Sequence, residues 1–200
     1  MSRKTAFFDV DTQRDFMVPR GRLYVPGARM VSTNIRRLIA HAAERGIRLF
    51  SSVDAHPKGD PEFKVFPPHC VVGTRGQDKI RGTILPDHVV VGMAARLSRK
   101  ALADALGHDQ IIIEKQSYDV FDNPNTKALI RASGCTRFVV FGVATDICVR
   151  AAALGLLRSG FRVALVTDAI KGVTAEGTRA ALAEMRQAGA RLRITDRIVS

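Results

Sequence analysis

An α/β fold built on a parallel sheet covered on both faces is the architecture the sequence predicts. Two observations carry it. Short apolar runs alternate with longer amphipathic stretches in a repeated strand-then-helix order, and the chain of 200 residues has room for one domain, 1–200, with a sizeable core. A chain of this length needs no disulfide staples.

The elements follow in order. Thr5–Val10 (TAFFDV), bounded by polar residues, reads as a buried strand. Met30–Glu44 places Val31, Ile35, Leu38, Ile39 and Ala42 at helical spacing, and Gly46 stops it. Ile47–Val53 is the next strand, Gln110–Glu114 the third and Arg137–Phe141 the fourth; Arg162–Val166 and Arg191–Ile194 complete the set. Helices are expected near Asn125–Ser133, Ile147–Ser159 and Thr174–Ala188. Residues 54–97 break the rhythm with Pro57, Pro61, Pro67, Pro68 and Pro86. A long ordered loop or small subdomain is expected there instead of regular helix, and loops of that length are usually functional.

A composition 46% hydrophobic and 25% charged excludes a disordered chain. The three cysteines, Cys70, Cys135 and Cys148, are irregularly spaced and read as reduced thiols of a cytoplasmic protein. No apolar run approaches the roughly 18 residues of a spanning helix, and Met1–Lys4 leads straight into a strand pattern, so neither membrane anchor nor signal peptide is expected. The net charge of +12 invites a nucleic-acid reading. Yet Arg36, Arg37, Arg45, Arg150, Arg158, Arg179 and Arg186 are scattered along predicted helix faces, with no compact stripe and no interleaved aromatics. A solvated surface is expected and no nucleic-acid partner, although the field can attract anionic small molecules.

Sheets of this kind hold their sites beyond the carboxyl ends of the strands, and three such ends carry chemistry. In FFDVDTQRDF, Asp9 and Asp11 stand two apart and are expected on one side of the strand, either as working carboxylates or as groups satisfied by backbone donors. In FGVATDICVRAAALG, Cys148 falls near the start of a helix, where exposed amides and the dipole favour a thiolate; otherwise it is a small buried hydrophobe. Lys115, ending IIIEK, is either a surface charge or a cation that supports a carboxylate and a thiolate in one crevice. In the irregular region, VDAHPKGDPEFKVFPPHC offers Asp54, His56, Glu62 and His69, two imidazoles and two carboxylates suited to Zn²⁺, Fe²⁺ or Mn²⁺.

Together VDTQRDF, DAH…PEFKVFPPH, the strand-end Lys115 and GVATDICV resemble the nicotinamidase family of isochorismatase-like cysteine hydrolases, in the family's order and across almost the whole chain. The resemblance implies a three-layer α/β/α sandwich with a six-stranded parallel sheet, assembled as dimers or tetramers. It implies a catalytic triad of Asp11, Lys115 and Cys148, and a cis peptide between Val143 and Ala144 that aims the Ala144 and Cys148 amides at an oxyanion. It makes Asp54, His56 and His69 ligands of one divalent metal, zinc foremost, with Glu62 a fourth ligand as in some members. Phe16, Phe66 and Tyr118 take the positions that sandwich an aromatic substrate ring. The expected reaction is hydrolysis of a small amide, nicotinamide to nicotinate, through a thioester. The segment KQSYDVFDNPNT departs from the family's K-x-x-Y-S-A-F at Asp119 and in Asn123–Pro124–Asn125, next to the expected pocket.

Other readings compete. A carbamoyl or ureido compound could replace nicotinamide in the same superfamily. A haloacid-dehalogenase-type phosphatase would use FFDVDT as its nucleophile motif, but leaves GVATDICV without a role. A non-catalytic binding protein has no need of Asp11, Lys115 and Cys148 together, and dinucleotide binding lacks a glycine-rich turn after the first strand.

Overall fold

The apolar runs become strands buried on consecutive residues, which requires cover on both faces of the sheet. The computed structural model describes residues 4–200; the lead-in expected over Met1–Lys4 lies, for its first three residues, outside the described part. In chain order the elements are β1 (Thr5–Val10), α1 (Arg14–Met17), α2 (Ala28–Glu44), β2 (Leu49–Asp54), a 3₁₀ turn (Pro61–Lys64), β3 (His88–Val91), α3 (Arg99–Ala105), β4 (Gln110–Lys115), a second 3₁₀ turn (Val120–Asp122), α4 (Thr126–Ala132), β5 (Arg137–Val143), a π-helical turn (Thr145–Val149), α5 (Arg150–Arg158), β6 (Arg162–Lys171), α6 (Ala175–Gln187), β7 (Arg191–Arg193) and α7 (Asp196–Val199).

All strands pair in parallel in the order β3-β4-β2-β1-β5-β6-β7. The sheet therefore has seven strands, not the six expected. The added strand is β3, a four-residue HVVV run inside the region anticipated as irregular, where it forms the edge beside β4. Helix α3 follows it, started by the Ser98 hydroxyl, which accepts from the Ala101 amide at 3.2 Å.

The core lies on and around the central strands. Phe7, Phe8, Phe50, Phe138 and Phe141 are fully buried, and the Phe8 and Phe50 rings stack across β1 and β2 at 6.2 Å. Helix α2 packs on β1, β5 and β6 through Ile35, Leu38, Ile39 and Ala42, the spacing read from the sequence. Between β1 and β5 the backbones approach so closely at Gly142 that a β-carbon there would lie 2.1 Å from the Val10 carbonyl oxygen.

The returning part of the irregular region is tied to the end of β1. The Ile80 amide donates to the Thr12 carbonyl at 2.9 Å and the Arg14 amide to the Asp78 carbonyl at 2.8 Å. Lys79 Nζ meets Asp9 Oδ2 at 2.6 Å and Thr12 Oγ1 at 2.8 Å, with both ionic side chains buried.

Candidate active site

Because every strand runs the same way, β1, β2, β4 and β5 end at one pole, and the order reverses there around β1. Asp54 and Lys115 are register partners in β2 and β4, so their side chains leave the sheet on the same face. Asp11 follows β1 and Cys148 follows β5. The fully buried Lys115 ammonium meets Asp11 Oδ2 at 2.9 Å, pairs closely with Asp54 Oδ1, donates to the Ser117 carbonyl at 3.0 Å and lies 3.8 Å from Cys148 Sγ. Residues from four strand ends thus converge.

One expectation about β1 is corrected. Asp9 and Asp11 face opposite sides of the sheet: Asp9 accepts from Ser51 Oγ at 3.3 Å, and Asp11 from Ser52 Oγ at 2.6 Å. Ser51 and Ser52 are consecutive in β2 and so point apart. The cause is the backbone of Asp11, whose φ of 49° takes it out of the strand alternation and into the left-handed region.

Charge sets the resting state of these groups. Burial pulls the Lys115 ammonium towards neutrality, but Asp11, Asp54 and Cys148 overcome this and hold its pKa well above the usual lysine value. Burial raises Asp54, yet the Lys115 ammonium and the two imidazoles beside it bring it below the ordinary carboxylate range. For Asp11 burial wins over Lys115 and Ser52, and its pKa is raised. Burial likewise pushes the Cys148 thiol well up, against the pull of Lys115. This burial opposes the thiolate that a helix start would favour. Cys148 lies in the π-helical turn, half-buried, immediately ahead of α5.

Asp54, His56 and His69 bring one ligand atom each within 4.8 Å of one another, all three residues being buried. His56 Nδ1 bonds Asp60 Oδ2 at 3.0 Å and His69 Nδ1 bonds the Pro67 carbonyl at 2.8 Å. With Nδ1 as donor, each Nε2 presents a lone pair, the arrangement that orients metal-bound imidazoles. These nitrogens lie 3.7 Å and 3.6 Å from Asp54 Oδ2. His56 Nε2 is buried without any hydrogen-bond partner, which a protein tolerates poorly unless something else is bound there. Two nitrogens and a carboxylate oxygen thus fit a divalent ion. Glu62 falls in a second trio, with His56 and Asp60; its carboxyl pKa is raised by burial.

A cavity of about 190 Å³ opens beside both groups, below the roughly 300–1,000 Å³ of drug-sized sites. Asp11, Cys148, Asp54, Glu62 and His69 line its polar end, and Phe16, Phe66 and Tyr118 all reach it. Phe16 and Phe66 also pack on the His69 ring, at centroid distances of 5.5 and 6.4 Å. Val143 and Ala144 form part of the wall, and the peptide between them is cis. Asp119 is not in the wall. Its carboxylate caps the second 3₁₀ turn by accepting from the Phe121 amide at 2.9 Å, and Asn123 Nδ2 bonds the Glu114 carbonyl at 2.8 Å and the Gly92 carbonyl at 3.2 Å. The departure from the family pattern thus serves the loop scaffold.

Several contributors had no chemical signature in the sequence. Leu23, Tyr24, Val25, Ile147 and Val173 complete the apolar wall. Gln13 braces the end of β2, accepting from the Asp54 amide at 2.7 Å and donating to the Asp54 carbonyl at 2.8 Å. Asp60, the partner of His56, sits in a D-P pair that reads only as a turn. Among the described residues no helix is long and apolar enough to cross a membrane.

Residues 5–196 match the family described as Isochorismatase domain. The nicotinamidase/pyrazinamidase of Mycobacterium tuberculosis is 31% identical over 196 residues, covering 94% of this chain and 97% of that protein. The nicotinamidase of Escherichia coli is 31% identical over 199 residues, covering 92% and 91%. Among solved structures, the pyrazinamidase of Pyrococcus horikoshii in complex with zinc aligns with a TM-score of 0.80 at 31% identity, covering 96% of this chain and 99% of that one.

Proposed function

The chain belongs to the isochorismatase-domain family, and on that premise we propose that it is a metal-containing cysteine amidohydrolase releasing ammonia from a small carboxamide, nicotinamide foremost. The observation that carries the reading is the meeting of the Cys148 sulfur and the Asp11 carboxylate in the wall of one small, largely apolar cavity, with the buried Lys115 ammonium behind them. Asp9, the nucleophile a phosphatase would need, faces away from the triad and is paired with Lys79.

Burial raises the Cys148 thiol pKa, so attack calls for a base, and Asp11, whose own pKa is raised, is suited to take that proton and later return it. Lys115 keeps positive charge beside both groups throughout. Cys148 Sγ then bonds the amide carbon, and the oxyanion faces the Ala144 and Cys148 amides. Asp11 protonates the departing ammonia, and water attacks the thioester with Asp11 again as base. Phe16, Phe66 and Tyr118 hold a flat ring in the cavity. Asp54, His56 and His69, with Glu62 alongside, would hold the divalent ion, zinc before iron or manganese, which supplies a Lewis-acid anchor for a ring nitrogen. Cytoplasmic dimers or tetramers, without a nucleic-acid or membrane partner, complete the reading.

The test is ammonia release by zinc-replete protein from nicotinamide, pyrazinamide, aliphatic carboxamides and ureido compounds. Nicotinamide or its diazine analogue is expected to lead, and Cys148→Ala to lose roughly 10³-fold or more. A ureido compound in the lead would move the substrate elsewhere in the family; full activity in Cys148→Ala would end the mechanism.

A further inference from the structure

At the opposite pole the sheet builds a second, chemically different cavity of about 390 Å³. Arg137, Arg162, Arg191, Arg193 and Arg197 line it, over a floor that includes Val139 and Ala164, and no carboxylate is among its lining residues. The register explains how the first four share a face. Arg137 pairs with Arg162, Ala164 with Arg191 and Val166 with Arg193; residues two apart on a strand point the same way. Arg197 arrives from α7. Among the described residues none of the five has a carboxylate partner.

Arg137 and Arg162 stand directly opposite each other, a placement of like charges that destabilises a sheet, so strand pairing alone does not account for the cluster. Guanidinium forks match phosphate oxygens two at a time. The hollow opens to solvent with its five exposed arginines around an apolar floor, room for a small anion, and no aromatic side chain lines it to stack a base. We propose that this arginine-lined cavity is a binding site for the oligophosphate group of a small molecule, recognised without regard to any base attached to it.

Calorimetric titration at physiological ionic strength, with inorganic tripolyphosphate as the probe, tests this. One saturable site per chain is expected, with ATP and GTP binding within about threefold of each other and AMP at least about tenfold weaker. The Arg162→Gln/Arg191→Gln double variant should weaken tripolyphosphate binding at least tenfold, while Arg45→Gln/Arg131→Gln, which removes the same charge from exposed positions just after α2 and within α4, should leave it within twofold. A thermal melt gives a second readout: relief of repulsion should raise the melting temperature of free Arg162→Gln/Arg191→Gln and abolish the further rise that tripolyphosphate gives the parent protein. No saturable binding, equal losses in both double variants, or single-stranded RNA binding more tightly than tripolyphosphate would each overturn the proposal.

Discussion

Replacing Lys79 by methionine removes the cation from a buried pair while keeping most of the side-chain volume. Lys79 and Asp9 are 2.6 Å apart with side-chain exposures of 2% and 0%, so no water screens the carboxylate left behind. Asp9 keeps only the Thr12 and Ser51 hydroxyls, at 3.0 and 3.3 Å, and its Oδ1 already lacks a hydrogen-bond partner. Breaking a buried pair from one side costs about 3–5 kcal/mol. At roughly 2–4 °C per kcal/mol for a domain of this size, the melting temperature should fall by about 6–20 °C. Urea denaturation of metal-free protein, monitored by far-ultraviolet circular dichroism, measures the change directly. Removing both charges in Asp9→Leu/Lys79→Met should recover more than half of the loss, because no uncompensated ion remains. A single variant within about 1 kcal/mol of the parent protein would refute the argument, since that is the behaviour of a solvated surface pair.

Three further outcomes are expected. Ser52→Ala deletes a 2.6 Å donor that favours the ionised form of Asp11, so the acid limb of the kcat/KM–pH profile should move to higher pH; an unmoved limb would exclude Asp11 as the base. Asp60→Ala removes the acceptor that fixes His56 Nδ1 and should weaken zinc binding about 10–100-fold in chelator competition; unchanged affinity would separate His56 from the metal. Gly142→Ala would set a β-carbon 2.1 Å from the Val10 carbonyl oxygen at a φ of 123°, at a cost above about 4 kcal/mol; a normal melting temperature would contradict the close approach of β1 and β5.

What the sequence revealed and what it concealed divide along physical lines. Strands such as Gln110–Lys115 are long and apolar enough to be read directly, and only their ends moved. β3 was hidden because an edge strand of four residues, with His88 and Val90 exposed, carries no buried pattern. α3 was hidden because it buries only Ala105. At the site, Asp54, His56 and His69 were legible as residue types with ligating chemistry, whereas Asp60 acts by bracing His56 and the Glu62 amide, and Gln13 through backbone. The opposed faces of Asp9 and Asp11 depend on a single left-handed residue, which side-chain alternation cannot foretell. The arginine cavity escaped because its members are spread from Arg137 to Arg197 and become neighbours only through strand pairing.

The convergence of four strand ends also governs when chemistry becomes available to a growing chain. Cys148 leaves the ribosome long after Asp11, Asp54 and Lys115, and it gains its neighbours only once β5 slots in beside β1. A fragment that ends before β5 holds Asp11, Asp54 and Lys115 but not the sulfur. The meeting of sulfur, ammonium and carboxylate is thus a product of long-range strand pairing, not of any local segment.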